Sequence, residues 1–144
     1  MKIKNEHKLF ARDIDIRFRD IDAMGHVNNS VYFTYFEYGR VKFFHSEAQK
    51  RTFGKFSFIL AHIRCDYTRP VTMEDKITVQ MWIGKIGSKS FTFQYRLVDR
   101  TDPSILFASA ESVQVCFDYR KNESVPVAEE LRVALSTYLK PEMV

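Results

Sequence analysis

The apolar and polar positions alternate along most of the chain, with one long interruption of helical period. From Phe10 to Phe18, Ile14, Ile16 and Phe18 face one way and Asp13, Asp15 and Arg17 the other, the pattern of a half-buried strand. A loop from Arg19 to Asn28, containing Gly25, follows. Between Asn29 and Ala48 the period changes: Tyr32, Tyr35, Phe36, Gly39 and Phe43 recur at three- and four-residue steps and form one apolar stripe. Asn28 and Asn29 suit the start of this helix, because an asparagine oxygen accepts from first-turn amides that lack a partner. Gly39 weakens the helix by propensity, and its place in the stripe predicts close approach to a sheet.

Period 2 returns after Gly54. Ile59, Ala61, Ile63, Cys65 and Tyr67 alternate with Leu60, His62, Arg64 and Asp66. The same alternation sets Ile77, Val79, Met81 and Ile83 against Lys76, Thr78, Gln80 and Trp82, and Phe91, Phe93, Tyr95 and Leu97 against Ser90, Thr92, Gln94 and Arg96. Gly84 to Ser88 reads as a hairpin loop, Ile105 to Asp118 as a long strand and Asp102-Pro103 as a turn. Val127 to Leu139 reads as a closing helix behind Pro126, with Glu129 and Glu130 in its first turn. The order predicts an α+β fold: a five-stranded antiparallel sheet wrapped around one long central helix, which at about twenty residues is near 30 Å long. No repeat, linker or low-complexity tract divides the chain, so residues 1–144 are expected to form a single domain.

Composition adds three constraints. The 144 residues are 45% hydrophobic and 28% charged, the balance of a soluble globular protein, but 15% are aromatic. So large an apolar payload suits a filled core, an oligomer interface or a greasy ligand tunnel. The net charge of +4 is spread along the chain; it favours a phosphate-bearing ligand without implying nucleic acid. Cys65 and Cys116 show no pairing or metal spacing and read as buried thiols of a reducing compartment. Neither a signal-peptide stretch in Met1 to His7 nor a membrane-length apolar run is present, so a cytoplasmic location is expected.

The chemistry concentrates between Arg17 and Tyr32. Two carboxylates, Asp20 and Asp22, together with Gly25, His26, Asn28 and Asn29, lie in a loop that opens onto a helix start. Unpaired amides and a partial positive charge there can stabilise a developing oxyanion, and a carboxylate beside them can attack or activate water. Acyl transfer needs that pairing.

This stretch resembles the hot-dog thioesterases of the 4-hydroxybenzoyl-CoA thioesterase family. Asp20, Asp22 and Gly25 match the family's Asp-x-Asp-x-x-Gly motif. His26-Val27-Asn28-Asn29 match the run that follows it in a large acyl-CoA branch. Tyr35-Phe36-Glu37 with Arg40, and Tyr67-Thr68-Arg69-Pro70-Val71, are also similar to the family. The resemblance implies a hot-dog fold and an acyl-CoA thioesterase needing no metal or cofactor, with coenzyme A entering as part of the substrate. It implies Asp22 as nucleophile or general base and the backbone amide near Asn29 as carbonyl donor. His26 supports them, and Gly25 allows close backbone approach. Asn28, Tyr32 and Glu37 border the substrate; Arg69, Ser88 and Lys89 are candidates for the phosphates or pantetheine arm. A homodimer or homotetramer with sites at the subunit interface is implied, with neither nucleic acid nor membrane as partner.

Plainer readings stand beside these. Asp20 reads as an acceptor for Arg17 or Arg19, Tyr32 as core, Glu37 and Arg40 as a helix-surface pair, and the asparagines as caps. His7, His45 and His62 lack ligand spacing. Other functions consistent with the chain are an acyl-carrier-protein thioesterase and a non-catalytic acyl-CoA-binding protein. A hot-dog dehydratase relies on a different histidine arrangement. A single-strand nucleic-acid module would want exposed aromatics among basic residues, and the strand-helix-strand order argues against it.

Overall fold

In the computed structural model, which describes residues 8–46 and 50–141, five main strands carry the fold. They are β1 (Phe10–Ile14), β2 (Phe58–Tyr67), β3 (Ile77–Ile86), β4 (Ser90–Asp99) and β5 (Leu106–Asp118). All pair antiparallel in the order β1-β3-β4-β5-β2, and a two-residue β6 (Glu123–Ser124) adds to the end of β5. The helices are α1 (Asn29–Phe44), α2 (Lys50–Phe53) and α3 (Glu129–Ser136). A curled sheet around a long aromatic helix is the hot-dog arrangement expected above.

The core forms where two periodicities meet. Ile77, Val79, Met81 and Ile83 of β3 and Phe91, Phe93, Tyr95 and Leu97 of β4 are buried on one sheet face. The stripe Tyr32, Tyr35, Phe36, Gly39 and Phe43 of α1 is buried too. Gly39 is what lets the two approach: a Cβ there would stand 2.6 Å from Met81 Sδ and 3.4 Å from Val79 Cγ1. Phe43 lies at the centre, with Phe10, Phe53, Phe93 and Tyr138 ring centroids 4.9–5.3 Å from its own. Because α1 packs on β1 and β3, the inner face of edge strand β2 is only half covered: Leu60 and Tyr67 stay 47% and 44% exposed.

The structure differs from the sequence reading at several points. β3 pairs through Lys85 and Ile86, so the hairpin turn is shorter than Gly84–Ser88. β1 stops at Ile14 rather than Phe18, because Asp20 draws the Arg17 amide into a 3₁₀ turn over Phe18–Asp20 and leaves Phe18 88% exposed. α1 ends at Phe44, where the His45 amide closes on the Val41 carbonyl; the expected end at Ala48 lies outside the described residues. α3 is shorter than Val127–Leu139, since the Val127 amide bonds the Ser88 carbonyl and Leu139 bridges to Ile83. In β2 a bulge at Ala61 shifts the register between Leu60 and His62. Leu60 therefore joins Ile63, Cys65 and Tyr67 on the inner face, where strict alternation would put it outside.

Candidate active site

Asp20 is the anchor of the loop between β1 and α1. Its Oδ2 accepts from the Arg17 amide (2.9 Å) and the Tyr35 hydroxyl (2.7 Å), and its Oδ1 from Arg17 Nη2 (2.9 Å) and Nε (3.1 Å). With the carboxylate 1% exposed, this is the structural acceptor role, and Arg17 is the partner. Burial pushes the Asp20 carboxyl up. The bonds from the Arg17 amide, the Tyr35 hydroxyl and the Arg17 guanidinium outweigh it and hold the group below its ordinary value. A group with a lowered folded-state pKa stabilises the fold above its unfolded pKa, and that contribution disappears as pH falls through the folded value. Thermal melts should therefore show stability falling below about pH 4. Asp20→Asn should be less stable at neutral pH and lack that part of the acid dependence; equal slopes for the two proteins would contradict the assignment.

Above this anchor the chain makes a five-residue knuckle. Ile21 and Val27 bridge at its neck, the Asp22 amide bonds the His26 carbonyl (2.9 Å), and the Gly25 amide bonds the Asp22 carbonyl (3.0 Å). Gly25 has φ +81°, and a Cβ there would meet nothing within 4 Å, so conformation rather than space selects glycine. The Asn28 amide returns to the Asp20 carbonyl and the Val27 amide to Val71. Asp22 Oδ1 accepts from the Met24 amide (2.9 Å), whereas Oδ2 takes no bond among the described residues.

Asn28 is the N-cap of α1. Its Oδ1 accepts from the Ser30 amide (3.0 Å) and Ser30 Oγ (2.8 Å), and its carbonyl from the Val31 amide (2.9 Å). The Asn29 amide is not among the capped ones, which leaves it a donor at the positive end of the helix.

Asp22, His26, Asn29, Tyr32 and Arg69 line one half-open cleft of about 370 Å³, with Gly25 and Asn28 in the loop that forms its rim. Met24, Thr68, Pro70 and, above all, Tyr67 complete it. Tyr67 donates its hydroxyl to the Asn29 carbonyl (2.9 Å) and packs edge-on against Tyr32, ring centroids 4.8 Å apart. Sequence reasoning quoted Tyr67 without assigning it; an inward tyrosine closing an alternating strand just before Arg-Pro was the available signal.

Three expected residues stand elsewhere in the chain. Glu37 is on the exposed side of α1, and Arg40 bonds the Tyr95 hydroxyl (3.1 Å) instead of pairing with it. Ser88 and Lys89 lie in the β3–β4 turn, where their carbonyls hold Val127 and Cys116. That turn is at the far end of the sheet from the row Val79, Leu97, Ala108 and Tyr67. No group of three or more His, Cys, Asp or Glu side chains is placed to hold a metal ion among the described residues. No described helix is long and apolar enough to cross a membrane.

The family described as the thioesterase-like superfamily matches residues 16–135. The uncharacterised protein YsmA of Bacillus subtilis is 29% identical over 60% of the chain, a match spanning 58% of its own length. Long-chain acyl-CoA thioesterase FadM of Escherichia coli is 24% identical over 88% of this chain and 97% of its own. A solved structure, that of a predicted thioesterase from Bacillus stearothermophilus, superposes with TM-score 0.81 at 24% identity. That match covers 92% of this chain and 98% of the other.

Proposed function

Because this chain belongs to the thioesterase-like superfamily and is a thioester hydrolase, we propose that it cleaves acyl-CoA to a carboxylic acid and coenzyme A, with Asp22 as the reacting carboxylate. The observation that carries this reading is the cleft itself, which is lined both by Asp22, with Oδ2 unengaged, and by Asn29, whose amide is uncapped. With the thioester oxygen at the Asn29 amide, negative charge developing on that oxygen meets the helix start. The Asp22 carboxylate then attacks the carbonyl carbon, expelling coenzyme A as thiolate and forming a mixed anhydride that water opens. Alternatively it takes a proton from a water that attacks directly. Either route uses water as the only second substrate and needs no resident cofactor.

In this reading His26 orients the loop or substrate, Gly25 lets backbone approach, and Tyr32 borders the acyl group. Arg69, exposed at the rim, meets the phosphates of coenzyme A. The run Asp20 to Asn29 supports placing the chain in the 4-hydroxybenzoyl-CoA thioesterase branch. The name of the FadM relative supports an acyl-CoA as substrate. Release of free thiol from a panel of acyl-CoAs tests the reaction; if no thioester is cleaved above background, a binding protein replaces the enzyme.

The same reading makes the enzyme an oligomer. Ser88, Lys89 and Glu37 stand outside the cleft of their own chain, and edge strand β2 exposes half its inner face. A second copy joined there would cover that face and supply such residues to its neighbour's cleft. Size-exclusion chromatography with light scattering should return a dimer or tetramer at micromolar concentration; a monomer would remove Ser88, Lys89 and Glu37 from the site.

A further inference from the structure

Apart from Tyr67 at the cleft, the inner sheet face carries one connected group of buried polar side chains. Tyr95, Ser112 and Gln114 are all buried there, and Arg40 reaches them from α1. Arg40 can only donate, so the Tyr95 oxygen accepts from its Nη1 at 3.1 Å, and the Tyr95 and Ser112 hydroxyls share a hydrogen bond of 2.6 Å. Gln114 Nε2 donates to the same Ser112 oxygen at 2.6 Å. The relay ends at Gln114 Oε1, which is buried and has no partner among the described residues, on a side chain only 3% exposed. An acceptor left unpaired in so apolar a setting is costly, which a core selected for stability alone would avoid.

The relay and the cleft lie along one strip of the inner sheet face. Along β5 the inward residues run Ala108, Ala110, Ser112, Gln114, and opposite them on β2 stand Tyr67, Cys65, Ile63 and Leu60. Tyr67 closes the cleft at one end of this strip. The two alanines give the strip a low floor, and the β2 wall is the half-covered one. Ser112 and Gln114 lie four and six residues beyond Ala108, about 13 and 20 Å along the strand. Arg40 lies eleven residues down α1 from Asn29, about 16 Å along the helix. Both measures put the relay deep, beyond the reach of a ring hydroxyl on a single-ring aroyl group whose carbonyl sits at Asn29.

We propose that the acyl group this enzyme accepts best is a chain bearing a hydroxyl far from the thioester, which Gln114 reads at the end of the Arg40–Tyr95–Ser112 relay. The proposal rests on the acyl-CoA thioesterase reading above. A hydroxyl donates to Oε1, and because it also accepts, it suits the amide in its rotated orientation as well. A methyl terminus leaves the amide unpaired in either orientation.

The test compares straight-chain acyl-CoAs of increasing length, each beside its ω-hydroxy counterpart, on wild type and Gln114→Leu. At the chain length that reaches the relay, kcat/KM of the wild type should favour the hydroxylated substrate by about tenfold to a hundredfold. In Gln114→Leu that ratio should fall to one or below, because the plain chain gains what the hydroxylated one loses. If Gln114→Leu does not fold by circular dichroism, Ser112→Ala carries the same expectation. A wild type that cleaves plain chains without any hydroxyl preference overturns the proposal and leaves the thioesterase reading standing. So does a preference that survives both substitutions. Failure to cleave any member of the panel overturns the thioesterase reading itself.

Discussion

Asp22→Asn should cleave the best acyl-CoA substrate about 10²–10⁴-fold more slowly than wild type at saturation, with its melting temperature close to that of the parent. The side chain keeps its size and its Oδ1 acceptor for the Met24 amide, so the knuckle that Gly25 closes has no reason to open. What is lost is the charge: a neutral amide neither attacks a carbonyl carbon nor takes a proton from water. Asp22 is half-buried at the rim of the cleft, so neutralising it leaves no stranded partner. Asp20 is the opposite case. It is enclosed, and it holds Arg17 and Tyr35 in place, so its amide variant should fail first in stability. A wild-type rate for Asp22→Asn would sink the proposed role.

Phe43→Ala should cost about 3–5 kcal/mol of folding free energy, measured by urea or thermal unfolding. Phe43 is fully buried and contacts rings from β1, α2, β4 and the segment after α3, as well as its neighbour Phe44. Those elements come from distant parts of the chain and have few alternative positions once packed, so the cavity cannot collapse. Losses near 1 kcal/mol would mean that the aromatic cluster rearranges far more freely than its geometry implies.

The period of the apolar residues made β3, β4 and the stripe of α1 legible, because both of their patterns face a single core. The end of β1 was not legible. Alternation carries on to Phe18 in the sequence, but a buried carboxylate at Asp20 outcompetes the strand for the Arg17 amide. The bulge at Ala61 was equally hidden, since alanine fits either face and nothing in the sequence marks the extra residue. For the site, local chemistry pointed to Asp22, Asn28 and Gly25 because their capping and turn geometry is set within a few residues. Tyr67 escaped assignment because its partner, the Asn29 carbonyl, is thirty-eight positions away. The separation of Ser88 and Lys89 from the cleft likewise depends on strand register, which composition does not carry.

The bulge in β2 also sets what kinds of change this strand can absorb. Both of its ends are tied to β5, the Ser57 carbonyl to the Phe117 amide at one end and the Thr68 amide to the Phe107 carbonyl at the other. Between those ties Phe58 and Tyr67 must both point inward, one to stack on Phe44 and the other to meet Asn29. Ten residues of strict alternation would turn one of them out, and the extra residue at Ala61 corrects the parity. Substitutions along the strand leave this count untouched. A one-residue deletion or insertion forces a choice between a filled core and a closed cleft.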